Sequence, residues 1–123
     1  MNYSYKHFLI LKSRANKTMN TRIVSDSMSP WIQTGAYIKV KICPLEEAKP
    51  WDVVLFWRKD KFICHILKEK NLSTFRTFPL RDLEHFITLD APSHRSNFLG
   101  VVMQPQFGFL QKFLLKLRFR KVF

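Results

Sequence analysis

Ser27, His65 and Asp90 are residues whose side chains, taken together, could carry out nucleophilic catalysis. A serine hydroxyl is a poor nucleophile until a base removes its proton and hydrogen-bond donors stabilise the oxyanion that forms on the substrate. A histidine can be that base because its imidazole titrates near neutral pH. A carboxylate can hold the histidine in the required tautomer. The chain therefore contains the side chains for acyl transfer to a serine.

The serine lies in a short polar segment, residues 25–30, with the sequence Ser-Asp-Ser-Met-Ser-Pro. Taken alone, such a segment is equally typical of a surface turn. Its pattern resembles the nucleophile box of signal peptidase I, in which the serine directly before methionine attacks the scissile carbonyl. The resemblance implies that Ser27 is the nucleophile. It also implies that the backbone N–H of Ser27 and the hydroxyl of Ser25 form the oxyanion hole.

Three further segments resemble the same family and follow the serine box in the family's order. Residues 35–40 resemble its Gly-Asp-x-Val-x-Val strand, residues 49–56 its Pro-Gly-Asp-Ile-Val-Val-Phe strand, and residues 63–67 the strand that carries the general base. Bacterial signal peptidases and LexA-type repressors have lysine at the base position, whereas the endoplasmic-reticulum and archaeal enzymes have histidine. This chain has His65 there, so over residues 23–102 it resembles the histidine type.

The third member of the predicted site is an acid. Residues 86–90, Phe-Ile-Thr-Leu-Asp, resemble the family's Phe-Ile-Thr-Lys-Gly-Asp segment, which places Asp90 at the first acidic position. Histidine-type relatives have a second aspartate several residues later, but residues 91–97 contain no acid. Asp90 could orient His65, serve only a structural purpose, or be dispensable to a Ser–His dyad. The sequence leaves these three alternatives open.

Two positions depart from the family pattern. Trp51 replaces the glycine before Asp52, and Ala36 replaces the aspartate after Gly35. A glycine in a tight turn often has a positive φ, which tryptophan tolerates poorly. We therefore expect the loop at Trp51 to be reshaped. Both departures lie outside the predicted catalytic residues.

The elements that must position these residues are mostly short strands. Alternation of apolar and basic residues predicts strands with one wet face, and continuous apolar runs predict buried strands. The N-terminal stretch up to residue 17 is expected to form a first strand or turn, and a single helical turn is expected near 30–33. The resemblance implies a mainly β, signal-peptidase/LexA-like fold of coiled antiparallel sheets. The predicted strands cover 37–42, 52–57, 62–68, 75–78, 86–89 and 98–103, with a polar hairpin turn at 58–61.

Length and the lack of a linker predict one peptidase-like β domain over residues 1–106, followed by a basic tail over residues 107–123. In the tail, Leu and Phe side chains separate imperfectly from Lys and Arg on a helical projection. Such a helix could place its apolar side in the interface of an anionic membrane. It could equally pack that side on the β domain, and the sequence favours neither arrangement.

The charge balance is the unusual property of the composition. Twenty-one Lys and Arg against nine Asp and Glu give a net charge of +12, which favours anionic partners. No zinc-finger spacing or RNA-recognition aromatic motif is present, so no specific nucleic-acid partner is expected. The spacing of the two cysteines and four histidines predicts neither a metal site nor a cofactor. The sequence leaves open whether Cys43 and Cys64 form a disulfide bridge.

The leading expectation is a serine endopeptidase that cleaves a peptide or protein precursor of the signal- or leader-peptide kind. Its acyl-enzyme would form on Ser27, with His65 as general base. The alternative is a catalytically impaired module of the same fold that binds peptides or a membrane surface. No stretch approaches the roughly 18 apolar residues of a membrane span. The apolar run 8–11 is also too short for a secretory signal, so we expect a cytoplasmic or peripheral membrane location.

Overall fold

A computed structural model of the chain describes residues 5–14, 16–22, 27–28, 32–80 and 89–105. Within these ranges the chain forms one curled antiparallel sheet of seven strands, with one short α-helix against it. The predicted mainly β class is thereby confirmed. In chain order the elements are α1 (Tyr5–Lys12), β1 (Thr18–Arg22), β2 (Tyr37–Ile42), a 3₁₀ turn (Leu45–Glu47), β3 (Val53–Arg58), β4 (Lys61–Lys70), β5 (Thr74–Phe78), β6 (Ser93–His94), a second 3₁₀ turn (Arg95–Asn97) and β7 (Phe98–Gln104).

The order of strands across the sheet is β1-β2-β7-β3-β4-β5-β6. The last strand, β7, therefore lies between β2 and β3 and joins the two parts of the sheet. Strand β4, which carries His65, is flanked by β3 on one side and β5 on the other, and His65 is directly opposite Val54. The histidine is thus placed on an interior strand rather than at a sheet edge.

Each face of the sheet buries its own apolar cluster. Along β3, residues 53, 55 and 57 belong to the first cluster and residues 54 and 56 to the second, as the alternation of side chains along a strand requires. Along β4, Cys64 and Ile66 belong to the first cluster. His65 lies between them in the chain, so its side chain is on the second face, where its ring meets that of Phe56.

The N-terminal expectation is wrong over Tyr5–Lys12, which form a helix rather than a strand or turn. The four apolar residues of this stretch fit either structure, and contacts with the sheet decide between them. Phe8 is fully buried. Its ring stacks on Trp57 with centroids 5.8 Å apart and meets the edge of Phe62 at 6.1 Å. The helix therefore covers the first face of the sheet at β3 and β4.

The internal strands agree with the predictions. Strands β2, β3, β4, β5 and β7 lie where alternating or continuous apolar runs placed them. Lys59 and Asp60 form the predicted hairpin turn and both have positive φ, 49° and 64°, which a two-residue type I′ turn requires. Strands β1 and β6 were not predicted, because β1 is polar and β6 has only two residues.

Some predictions fall on residues that the structure does not describe. The tail 107–123 and residues 86–88 of the predicted strand 86–89 lie outside the described residues, and Leu89 is not in a strand. Pro30 and Trp31 also lie outside them. Near the helical turn expected there, the N–H of Ile32 donates to the carbonyl of Met28 at 2.9 Å, which is the spacing of one helical turn.

The loop at Trp51 contains a left-handed residue, Trp51 itself, and the expectation that the loop is reshaped relative to the family stays a prediction. Trp51 has φ 77°, a conformation that costs a residue other than glycine about 1–2 kcal/mol. Its N–H donates to the carbonyl of Leu67 at 2.6 Å. The indole meets the edge of Phe78, and the Lys68 ammonium lies 5.5 Å from its centroid. These ring contacts offset the backbone strain.

The two cysteines are free thiols, so the Cys43–Cys64 bridge does not form. Their side chains belong to different clusters on opposite faces of the sheet, Cys64 to the first and Cys43 to the second. Burial raises the pKa of Cys64 to about 12. Among the described residues, no helix is long and apolar enough to span a membrane.

Candidate active site

His65 has a nearly buried side chain, 14% exposed, on the second face of the sheet. The edge of its ring approaches Phe56, with centroids 6.2 Å apart and planes at 74°. Strand β4 is paired with β3 at His65 itself and with β5 from Ile66 onward, so the backbone of His65 cannot shift without breaking ladder hydrogen bonds. The fold therefore gives this imidazole a fixed position.

Asp90 reaches His65 from the chain that precedes β6. Three hydrogen bonds fix the backbone at this point. The N–H of Asp90 donates to the carbonyl of Thr77 at 2.8 Å. Arg76 Nε donates to the carbonyl of Asp90 at 3.0 Å, and Arg58 Nη1 donates to the carbonyl of Ala91 at 3.3 Å. The acid is therefore held by side chains and backbone of β3 and β5.

The carboxylate of Asp90 makes two short contacts through the same oxygen. Its Oδ2 lies 2.6 Å from Nδ1 of His65 and 2.6 Å from the hydroxyl of Thr77. Thr77 is 1% exposed and is paired with Leu67, two residues along β4 from His65. This diagonal placement puts Thr77 and His65 on the same face of neighbouring strands, with the Asp90 oxygen between them.

Electrostatics keep Asp90 ionised. Burial by itself would raise the pKa of Asp90, but hydrogen bonds from His65 and Thr77 and the charges of His65 and Arg58 outweigh it, so the pKa lies below its usual value. An ionised carboxylate accepts hydrogen bonds only. The hydrogen on the His65 ring must therefore lie on Nδ1, which donates it to Asp90. In the neutral ring this leaves the lone pair on Nε2, where a proton can be accepted.

Ser27 lies in a half-buried turn beside Met28, which is fully buried. Met28 belongs to the first cluster together with Cys64 and Ile66, the two residues that flank His65 in β4. The serine box is thereby anchored on the first face of the sheet, whereas the His65 ring lies on the second face. A direct contact between Ser27 and His65 stays a prediction.

A hydrogen bond links the two ends of the segment that carries Ser27. Arg22, the last residue of β1, donates from Nε to the carbonyl of Gly35 at 3.1 Å, just before β2 begins. Gly35 has φ 90°, which a glycine adopts without strain. Ser25 lies outside the described residues, so its role in the oxyanion hole also stays a prediction.

The structure brings together two of the predicted site residues, His65 and Asp90. Their hydrogen bond is the contact that an orienting role of Asp90 requires, and the three alternatives for Asp90 stay predictions. Sequence reasoning missed Thr77, Arg58 and Arg76, since their approach to residues 90–91 depends on strand pairing and no motif carries that signal. Among the described residues, no group of three His, Cys, Asp or Glu side chains could hold a metal ion. No protein-family model matches the chain, and no curated protein matches it in sequence.

Proposed function

We propose that this protein is a serine endopeptidase that cleaves a peptide or protein precursor. Ser27 is the nucleophile, His65 the general base and Asp90 the acid that orients it. The observation that carries this proposal is the 2.6 Å hydrogen bond between His65 Nδ1 and the carboxylate of Asp90. It leaves Nε2 as the basic nitrogen, which is what a serine nucleophile requires of its partner.

The reaction has two half-reactions. His65 Nε2 takes the proton of the Ser27 hydroxyl as the oxygen attacks the scissile carbonyl, and Asp90 stabilises the imidazolium that forms. Collapse of the tetrahedral intermediate breaks the peptide bond, and the leaving amine takes the proton from His65. Water, deprotonated by the same nitrogen, then attacks the ester on Ser27. As the ester bond breaks, His65 returns the proton to the Ser27 oxygen, and the carboxylic acid product is released.

The resemblance to the histidine-type signal peptidases supports the choice of substrate. It implies precursors of the signal- or leader-peptide kind with small residues next to the cleaved bond. The backbone N–H of Ser27 and the hydroxyl of Ser25 would stabilise the oxyanion. A substrate in extended conformation suits a site built on β-strands. We place the protein in the cytoplasm or at the periphery of a membrane, where residues 107–123 could contact anionic lipid.

The experiment that tests the proposal compares three proteins on synthetic precursor peptides, with the products identified by mass spectrometry. We expect the wild type to cleave one bond and Ser27→Ala to give no measurable product. Ser73→Ala is the matched control, because Ser73 is an exposed serine in the turn between β4 and β5. It should cleave as the wild type does.

Equal cleavage by the wild type and Ser27→Ala would contradict the proposal. Binding of the peptides without cleavage by any of the three proteins would also contradict it, and would support the alternative of a catalytically impaired module. Circular dichroism of all three proteins checks that the substitutions leave the fold intact.

A further inference from the structure

The outer face of β1 and β2 carries three basic side chains. Arg22, Lys39 and Lys41 lie on this face, and Tyr37 is 72% exposed beside them. The opposite side of β2 presents residues 38, 40 and 42 to the first cluster. The two strands are in register, Arg22 opposite Tyr37 and Thr18 opposite Lys41. We call the four residues Arg22, Tyr37, Lys39 and Lys41 the basic face.

Acidic side chains are absent from the part of the chain that builds this face. The described residues 16–22 and 32–43 contain no Asp or Glu. The acid that approaches from outside is Glu47, whose Oε1 lies 3.6 Å from Lys41 Nζ with both side chains about half exposed. Such an exposed ion pair is weak, and with Glu47 counted the three cations still leave the face with a net charge of +2.

We propose that the basic face binds the surface of an anionic lipid bilayer. Charge complementarity selects an anionic partner, because three cations lie on one side of two strands in a chain of net charge +12. Anionic lipid attracts each nearby lysine or arginine. A partly exposed tyrosine beside them suits the membrane interface, where its ring meets the acyl boundary and its hydroxyl meets water. This inference does not depend on the peptidase activity.

The contacts of Tyr37 favour lipid over single-stranded nucleic acid. Sheets that bind nucleic acid stack two or three bases on aromatic side chains. The basic face has one aromatic residue, and one face of its ring is occupied by the Arg22 guanidinium, whose Cζ lies 5.8 Å from the ring centroid. A bilayer surface needs only cations near a plane, so this arrangement suits it without rearrangement.

The test is co-sedimentation of the full chain with phosphatidylcholine vesicles that either contain or lack phosphatidylglycerol. We expect wild type to bind only the anionic vesicles and to be released by high salt. The double variant Lys39→Gln/Lys41→Gln should bind about 25-fold more weakly, since each cation near the surface accounts for about fivefold in affinity. Lys39→Glu/Lys41→Glu should bind more weakly still.

The matched control is Lys49→Gln/Lys61→Gln, which removes the same charge at two exposed positions outside β1 and β2. It should lose less than about threefold, because screening confines each charge to its own surroundings. Equal losses of vesicle affinity in the two glutamine variants would overturn the proposal. Equal binding of the wild type to neutral and anionic vesicles would also overturn it. So would a preference for a single-stranded oligonucleotide in competition with the anionic vesicles. Ser27→Ala should bind as wild type, so failure of the peptidase proposal is distinguishable from failure of this one.

Discussion

His65 and His94 differ in the direction of the hydrogen bond at Nδ1, which donates in the first and accepts in the second. His65 donates from Nδ1 to the ionised carboxylate of Asp90 at 2.6 Å, in a nearly buried position. His94 accepts at Nδ1 from the backbone N–H of Ser96 at 3.1 Å, in an exposed turn that begins a 3₁₀ segment. The first neutral ring therefore has its lone pair on Nε2, and the second has its hydrogen there.

Surroundings, rather than residue type, decide which of the two histidines can be a general base. Both residues are imidazoles with similar solution chemistry. At His65 the carboxylate of Asp90 is held in place by residues of β3, β4 and β5, among them the buried Thr77. At His94 the backbone N–H of Ser96, in a local turn, donates to Nδ1, and the residue is exposed to solvent. Of these two histidines, His65 alone presents a basic Nε2 from a fixed position.

The largest effect is expected when each of the two histidines is substituted by glutamine. His65→Gln removes the base, so we expect kcat/KM for precursor cleavage to fall by about 10⁴-fold or more. His94→Gln should change kcat/KM by less than about twofold, because that ring only caps a turn. Comparable losses in the two variants would show that the tautomer difference has no functional meaning.

The next effect concerns the acid. In Asp90→Asn the amide can donate to Nδ1 of His65, which moves the ring hydrogen to Nε2 and removes the base. We expect kcat/KM to fall by about 10³- to 10⁴-fold, and ¹⁵N NMR to show that His65 adopts the tautomer of His94. Unchanged cleavage would instead support a Ser–His dyad in which Asp90 is dispensable.

A smaller effect is expected at Thr77, whose hydroxyl donates to Asp90 at 2.6 Å. Thr77→Val keeps the shape of the side chain and removes the donor, which should lower stability by about 1–3 kcal/mol and kcat/KM by about tenfold. Thr77→Ser restores the donor and should recover most of both. Urea unfolding and peptide cleavage measure the two quantities. Equal defects in valine and serine variants would mean that packing, and not the hydrogen bond, matters at this position.

The smallest effect is the pH dependence of stability that Asp90 confers. Because its folded pKa is lowered, Asp90 stabilises the fold above its unfolded pKa of about 3.9. That stabilisation is lost as the pH falls from there through the folded pKa. Urea unfolding from about pH 6 to about pH 3 should show the difference between wild type and Asp90→Asn shrinking toward acid. A difference that stays constant would contradict the lowered pKa.

The sequence predicted the interior of the sheet better than its margins. Strands β2 to β5 and β7 have apolar patterns because each buries one or both faces. Strand β1 is polar, since as an edge strand it is held by backbone pairing with β2. Helix α1 has too few apolar residues for a clear period, and the burial of Phe8 between Trp57 and Phe62 decides its conformation.

The candidate site was predictable in part. The order of the motifs placed His65 and Asp90 in one site, and their hydrogen bond agrees with it. Thr77 and the arginines that hold residues 90–91 were not predictable, because they depend on the register between β4 and β5. The positive φ of Trp51 was not predictable, since its contacts with Phe78 and Lys68 arise only in the folded chain.

Activation of Ser27 by His65 can be tested by labelling with a fluorophosphonate. This reagent forms a covalent bond to an activated serine oxygen with loss of fluoride. Peptide mapping by mass spectrometry then locates the adduct. We predict one adduct on Ser27 in the wild type and in His94→Gln, and none in His65→Gln. A folded wild-type protein without an adduct on Ser27, or equal labelling of Ser27 in His65→Gln, would contradict the claim.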